Sequence, residues 1–398
     1  MDCVVEEQNR CASGQQGEDA SGRIRVLLIG HQFQVPTEGQ AKAAALARFE
    51  DLELHVLAPS LYREAEIRWR RPVVPEAARY RFEVSPVRMP WSGPAKWYLQ
   101  WYPNLAATLS TLQPDIIDVW EEPWNLLSAQ TCRLRDRLLP ETKIISETEQ
   151  NIAKRLPPPF EAFRSFTLGR ADFLIGRNEE ALAVARSKGF RGPAAVVGNG
   201  VDTQMFSPGL TAPMQSQSRM REDSFRIGYA GRLVEEKGLE VLLEAVGSLP
   251  APRSLVLSGE GPFLERMLKV PFVQWAGNVP REELPAFYRG LDALVLPSRT
   301  TSRWKEQFGR VLVEAQACGV PVVGSSSGAI PEVIGDAGLI FPEGNAAYLA
   351  VALHRLRADS TLRDAFVQKG RERACANYGW DAIAAQMRQV YLSVMSRR

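Results

Sequence analysis

Short apolar runs and stretches of helical periodicity take turns along this chain. "RIRVLLIG" (residues 23–30) reads as a buried strand, "GQAKAAALARF" as a helix, and "LELHVLAP" as a second strand. "PDIIDVW", "TKIISET", "ADFLIGRN" and "PAAVVGNG" repeat the strand theme, with helical patterns between them. Apolar strands separated by helices predict βαβ units, in which a parallel sheet is covered on both faces.

The alternation stops at "SPGLTAPMQSQSRMRED" (207–223), a polar stretch rich in Ser, Gln and Pro that reads as a linker. It restarts with "FRIGYAG", "RSLVLSG", "PFVQWAG", "LDALVLPS" and "VPVVGS", each followed by a helical pattern. The pattern therefore predicts an α/β fold of two facing Rossmann-like domains, residues 23–206 and 224–377, with a ligand cleft between the carboxyl ends of their strands. Residues 378–398 carry a last helix, "DAIAAQMRQVYLSVM", after a break at Tyr378-Gly379, and it is expected to pack back on the first domain. Residues 1–22 are polar and acidic without an apolar core, and read as a disordered tail rather than a signal peptide.

Composition changes this picture little. The 398 residues are 45% hydrophobic and 24% charged, the formal net charge is +2, and no strong field draws the chain to nucleic acid. Five scattered cysteines without a CxxC predict reduced thiols and a cytoplasmic location. No apolar run approaches the roughly 20 residues of a membrane span. The arginine-rich stretch "REAEIRWRRPVVPEAARYRF" leaves open a peripheral contact with an anionic membrane face, although its interspersed glutamates favour a solvated surface. Trp97 and Trp101 stand at i,i+4 and read as helix packing.

Several ligand classes are disfavoured. The turn after the first strand, "GHQFQVPTEG", lacks GxGxxG, and Gly259 and Gly261 in "SGEGPFLERM" lack the third glycine. No GxxxxGK[ST] and no DxD occur, and the three histidines, His31, His55 and His354, are widely separated, so no metal site is expected.

"WKEQFGRVLVEAQACGVPVVG" (304–324) is different. Glu306 and Glu314 stand eight positions apart, the second inside an apolar helical run where an unpaired carboxylate costs several kcal/mol. A helix starting near Gly309 would turn the free N–H groups of Gly309, Arg310 and Val311 outward as an anion site. Carboxylates accept hydroxyl pairs, so the element offers hydroxyl, diphosphate and hydroxyl recognition in a row, the shape of a nucleotide sugar. "GYAGRLVEEKG" adds Gly231 and Arg232 after a strand and Lys237 at the next helix start, two cations for the diphosphate.

Residues 225–345 resemble the donor domain of the retaining glycosyltransferases of the GT-B fold, most closely glycosyltransferase family 4. The likeness rests on "AGRLVEEKG", "SGEGP", "LPS…EQFGRVLVEAQACGVPVVGSSSGAIPEVI" and "GLIFPEGN" in order, with "NGVDTQMFSPG" closing the first domain. It implies that Glu306 contacts donor hexose hydroxyls and Glu314 the ribose. Arg232 and Lys237 would bind the diphosphate with the N–H groups around Gly309 to Val311, backbone near Val279 would meet the base, and Gly39 would approach from the first domain. It implies transfer of a hexosyl unit with retention, no metal and no cofactor beyond the donor, to a glycan or lipid-linked acceptor. Relatives often carry histidines where this chain has "DVWEEPWN" and "SETEQN", so Glu121, Glu122, Glu147 and Glu149 become acceptor-side candidates. Two other readings stay open: a nucleotide-sugar epimerase, and a nucleotide-sugar-binding subunit without catalysis.

Overall fold

A computed structural model describes residues 22–63, 69–88, 96–209 and 224–397. Nearly all of the tail expected at 1–22 and most of the linker expected at 207–223 lie outside the described residues.

The first lobe is a seven-stranded parallel sheet. Its strands are β1 (Ile24–Ile29), β2 (Leu52–Pro59), β5 (Arg81–Ser85), β6 (Ile116–Val119), β7 (Lys143–Thr148), β8 (Phe173–Gly176) and β9 (Ala194–Val196). A separate antiparallel ribbon pairs β3 (Tyr62–Arg63) with β4 (Trp69–Arg70). The second lobe holds a six-stranded parallel sheet, β10 (Phe225–Ala230), β11 (Arg253–Ser258), β12 (Val273–Trp275), β13 (Ala293–Leu296), β14 (Val322–Ser325) and β15 (Leu339–Phe341). Central strands such as β1 and β13 are buried on both faces, which is why they are written as unbroken apolar runs. The two-domain α/β architecture read from the sequence is the one observed.

Strand order places the functional loops. The first sheet runs β5-β2-β1-β6-β7-β8-β9 and the second β12-β11-β10-β13-β14-β15. Each sheet grows outward from its first strand in one direction, then returns and grows in the other. The loops after β1 and β6, and those after β10 and β13, consequently diverge and leave a crevice at the carboxyl end of each sheet.

The last helix, α13 (Trp380–Met395), lends Ile383, Ala384, Met387, Val390, Tyr391 and Val394 to the first lobe's core. Tyr391 anchors it by donating its hydroxyl to Asp118 Oδ2 at 2.7 Å. Two local expectations are corrected. The arginine-rich stretch ends in strand β5, which among the described residues pairs with β2 alone and stands at the sheet edge, so its residues can stay half-exposed and polar. Trp101 lies on no helix: a 3₁₀ turn covers Lys96–Leu99, and Trp101 pairs its backbone with Arg88. Pro103 bars Tyr102 from the helical region and stops a longer helix there.

Candidate functional site

At the switch point of the second sheet, Gly231 and Arg232 follow β10, and a 3₁₀ turn (Glu235–Lys237) presents Lys237. From the loop after β13 come Ser298 and Glu306. Lys237 Nζ donates to Glu306 Oε2 at 2.6 Å and Ser298 Oγ to the same oxygen at 2.8 Å, while Lys237 lies 4.5 Å over the Trp304 ring. Glu306 is buried and held by these two donors. Arg232 does not join this contact; its side chain is half-exposed and reaches Glu236 at 3.5 Å.

Helix α9 (Arg310–Ala317) begins beside them. Its cap, Gly309, has φ 84 and offers no side-chain acceptor, so the first N–H groups, Arg310 and Val311 among them, have no side-chain cap. Glu314, more than a turn inside, is 2% exposed. Its partners answer the question its setting raises: Arg281 Nη1 at 3.1 Å and the Tyr288 hydroxyl at 2.8 Å. Burial raises the Glu314 carboxyl above its ordinary range, against the pull of Arg281 and Arg310. Arg281 Nε and Nη2 keep no hydrogen-bond partner. Val279, two residues before it, is buried, and its N–H points to Ser258 Oγ at 3.4 Å.

The first lobe closes on this element. The Arg310 side chain is engaged across the lobes, where its Nη1 meets Glu38 Oε1 at 2.5 Å. Burial works against the Glu38 anion, yet Arg310, then Arg281 and His31, hold its pKa below the usual carboxylate value. Gly39 follows in the same turn, Pro36–Gln40, so tightly packed that a Cβ would stand 2.6 Å from the Gln32 carbonyl. Asn151 Nδ2 donates to Glu306 O at 2.9 Å, Asn178 Nδ2 to Gln307 O at 2.6 Å, and Gln307 Nε2 to Glu149 O at 3.0 Å. The segment carrying Glu306 is thereby pinned from the opposite lobe.

A chamber of about 280 Å³ opens at the switch point of the first sheet, lined by His31, Tyr98, Trp120, Glu121, Glu122, Trp124, Glu147, Glu149 and, from the second lobe, Gln307. His31 follows β1 and Glu121 follows β6, neighbouring strands in the sheet. The His31 N–H donates to Glu121 Oε1 at 2.8 Å, and its Nδ1 lies 2.6 Å from the same oxygen. Asn125 Nδ2 donates to Glu121 Oε2 at 2.5 Å. Burial disfavours the imidazolium, but Glu121, then Glu149 and Glu38, outweigh it and raise the His31 pKa above its ordinary value. Glu122 accepts the Thr148 hydroxyl at 2.7 Å and the Glu149 N–H at 2.8 Å, and burial pushes its carboxyl up to about 8.

Glu147, one of the acceptor-side candidates, does not face water. Its oxygens meet Lys42 Nζ at 2.6 Å and Arg177 Nη2, and Lys42 also reaches Asp118 Oδ2 at 3.1 Å, all four side chains essentially unexposed. Burial disfavours its anion, but Arg177 and Lys42 hold its pKa below the ordinary value. His31, Glu38 and Arg281 are site residues that no sequence motif singled out. Among the described residues no cluster of three His, Cys, Asp or Glu side chains is arranged to hold a metal ion, and no helix is long and apolar enough to cross a membrane.

Comparison with known proteins agrees with this geometry. Residues 212–373 match the family model described as glycosyl transferases group 1. A GDP-mannose-dependent alpha-(1-6)-phosphatidylinositol monomannoside mannosyltransferase of Mycobacterium tuberculosis (strain CDC 1551 / Oshkosh) is 32% identical over 214 residues, 49% of this chain and 56% of that protein. A D-inositol 3-phosphate glycosyltransferase of Streptomyces bingchenggensis (strain BCW-1) is 32% identical over 252 residues, 57% of this chain and 54% of that one. The chain thus spans about half the length of the curated relatives it matches. Among solved structures, a sucrose-phosphate synthase from Thermosynechococcus elongatus superposes with TM-score 0.73 at 22% identity over 94% of this chain and 100% of its own. Anabaena HepE in complex with UDP does so with TM-score 0.66 at 16% identity over 93% and 100%. The sequence match to the glycosyl transferases group 1 is thus confined to residues 212–373, while the likeness to the GT-B fold spans both lobes.

Proposed function

We propose that this chain is a retaining, metal-independent glycosyltransferase that moves a hexosyl unit from a nucleoside-diphosphate sugar to a hydroxyl of a glycan or lipid-linked acceptor. The observation that carries this reading is Lys237, Glu306 and Ser298 gathered beside the uncapped start of α9 at the second sheet's switch point. The names of the relatives, one using GDP-mannose, and the UDP bound to HepE support a nucleotide-linked donor.

The donor diphosphate takes the N–H groups of α9 together with Lys237 and Arg232, whose half-exposed guanidinium can swing to it. Glu306, released from Lys237, accepts hexose hydroxyls; Glu314 and the unpartnered N–H groups of Arg281 meet the ribose. The bond between the anomeric carbon and the phosphate oxygen breaks, its electron pair leaving on the diphosphate. The acceptor oxygen bonds to the anomeric carbon on the face the diphosphate leaves, and its proton passes to a diphosphate oxygen. Fixed cations and N–H dipoles in a closed cleft stabilise the departing charge, the largest lever in such a transfer. Exposed Val73 and Val74 near Arg71, Arg79 and Arg81 supply a peripheral contact with an anionic membrane face.

Thermal shift with UDP- and GDP-sugars identifies the donor by the stability it adds. Nucleoside diphosphate should then be released only when acceptor is present, and proton NMR of the product should show the donor's anomeric configuration. Glu306→Ala should lower turnover about 100-fold, roughly 3 kcal/mol of transition-state stabilisation. Unchanged turnover in that variant would overturn the assignment.

A further inference from the structure

From the chamber beside His31 we infer that the acceptor enters as a single uncharged, polyhydroxylated ring, and that a phosphate on that ring is excluded. The inference rests on the glycosyl-transfer reading and names the substrate class of its acceptor side.

Location comes first. The chamber lies at the switch point of the first sheet and shares Gln307 with the segment that carries Glu306, so a ring seated in it borders the donor site. Its volume of about 280 Å³ is at the lower end for small-ligand clefts, which start near ~300 Å³. That is room for one ring. Tyr98 and Trp124 line it and give the apolar face of a sugar or cyclitol something to lie on. Trp120 is engaged differently, with Lys42 and Arg177 each 4.6 Å from its ring centroid.

Charge decides the rest. A phosphate is bound by N–H and O–H donors and by cations, and here the donors of the inner wall already serve glutamate oxygens. The His31 N–H and Nδ1 serve Glu121, and the Glu149 N–H and Thr148 hydroxyl serve Glu122. The cations behind the wall are already paired, Lys42 with Asp118 and Glu147, and Arg177 with Glu147 and, at 3.6 Å, Glu149. What faces the chamber is four glutamate side chains, Glu122 among them held protonated at neutral pH by burial, against one imidazole. Carboxylates accept from ring hydroxyls and repel phosphate oxygens at the same distance.

The test uses the full chain and ligand-observed NMR. The probes are methyl glucoside, methyl mannoside, methyl galactoside and myo-inositol, each paired with its ring phosphate: glucose 6-phosphate, mannose 6-phosphate, galactose 6-phosphate and myo-inositol 1-phosphate. At least one neutral probe should bind, and its phosphate partner at least tenfold more weakly. Glu149→Lys, at a one-third exposed side chain that gives up a 3.6 Å contact with Arg177 Nε, should narrow that ratio at least tenfold. Equal binding of a pair, preference for the phosphate, binding of no probe, or an unchanged ratio in Glu149→Lys would each overturn the inference. Nucleotide binding and nucleoside diphosphate release are measured alongside. If they persist while the probe ratio fails, the acceptor class is wrong and the transferase reading survives; if nucleotide does not bind, the parent reading fails.

Discussion

Glu122→Gln should stabilise the protein at high pH and leave it nearly unchanged at low pH. The Glu122 carboxyl stands at about 8 rather than 4.5, raised by burial and by the Glu149 and Glu121 carboxylates against the donors Thr148 and the Glu149 N–H. An acid raised on folding binds more protons folded than unfolded between those two values. Its contribution to stability is therefore fully present below about pH 4.5 and is lost as pH rises through about 8. At about 1.4 kcal/mol per pH unit the full interval amounts to about 5 kcal/mol. Glu122 is half-buried and faces a chamber open to water, so screening reduces this to about 2–3 kcal/mol.

Glutamine resembles the protonated acid and keeps both contacts: its Oε1 accepts from the Glu149 N–H, and its amide donates to the Thr148 hydroxyl, which turns to accept. Urea unfolding of both proteins from pH 5 to pH 9, followed by tryptophan fluorescence, measures the difference, in which every other titrating group cancels. The variant should lie within about 1 kcal/mol of the parent at pH 5 and exceed it by about 2–3 kcal/mol at pH 9. A difference that stays flat, or shrinks as pH rises, would show that Glu122 is ionised in the folded chamber and sink the reasoning.

Lys42→Met should cost about 3–5 kcal/mol in urea unfolding, because Asp118 and Glu147 lose the ammonium between them; a loss under about 1 kcal/mol would mean the pair is supported elsewhere. Glu38→Gln releases Arg310 from its interlobe ion pair, so calorimetry with UDP or GDP should give a Kd about threefold to tenfold lower, and an unchanged Kd would separate Arg310 from the diphosphate. Gly238→Ala should abolish nucleotide binding while the chain stays folded: at φ 69 its Cβ would lie 2.0 Å from the Pro297 carbonyl oxygen, which pushes Lys237 off Glu306. Binding retained in that variant would mean the turn is freer than this packing implies.

The sequence made the two sheets legible because strands buried on both faces are written as unbroken apolar runs, and β5 escaped because an edge strand need not be. The second lobe's site could be read for a similar reason. Lys237 and Glu306 each sit in a short local block, and 69 residues on they meet at 2.6 Å because β10 and β13 flank one switch point. The first lobe has the same construction without a block to announce it. His31 and Glu121 are 90 residues apart, and Glu38 and Arg310 are 272 apart in opposite lobes. No local pattern joins such pairs; only the strand order β2-β1-β6 does, since it sets the residue after β1 beside the residue after β6. A basic residue in the loop after one of the two strands that flank a switch point, with a carboxylate in the loop after the other, is thus the signal that was available once the order was known, and both lobes carry it. The amides of Asn151, Asn178 and Gln307 tie the two sites into one cleft, so a ligand that displaces Lys237 from Glu306 acts on a segment the first-lobe chamber also holds.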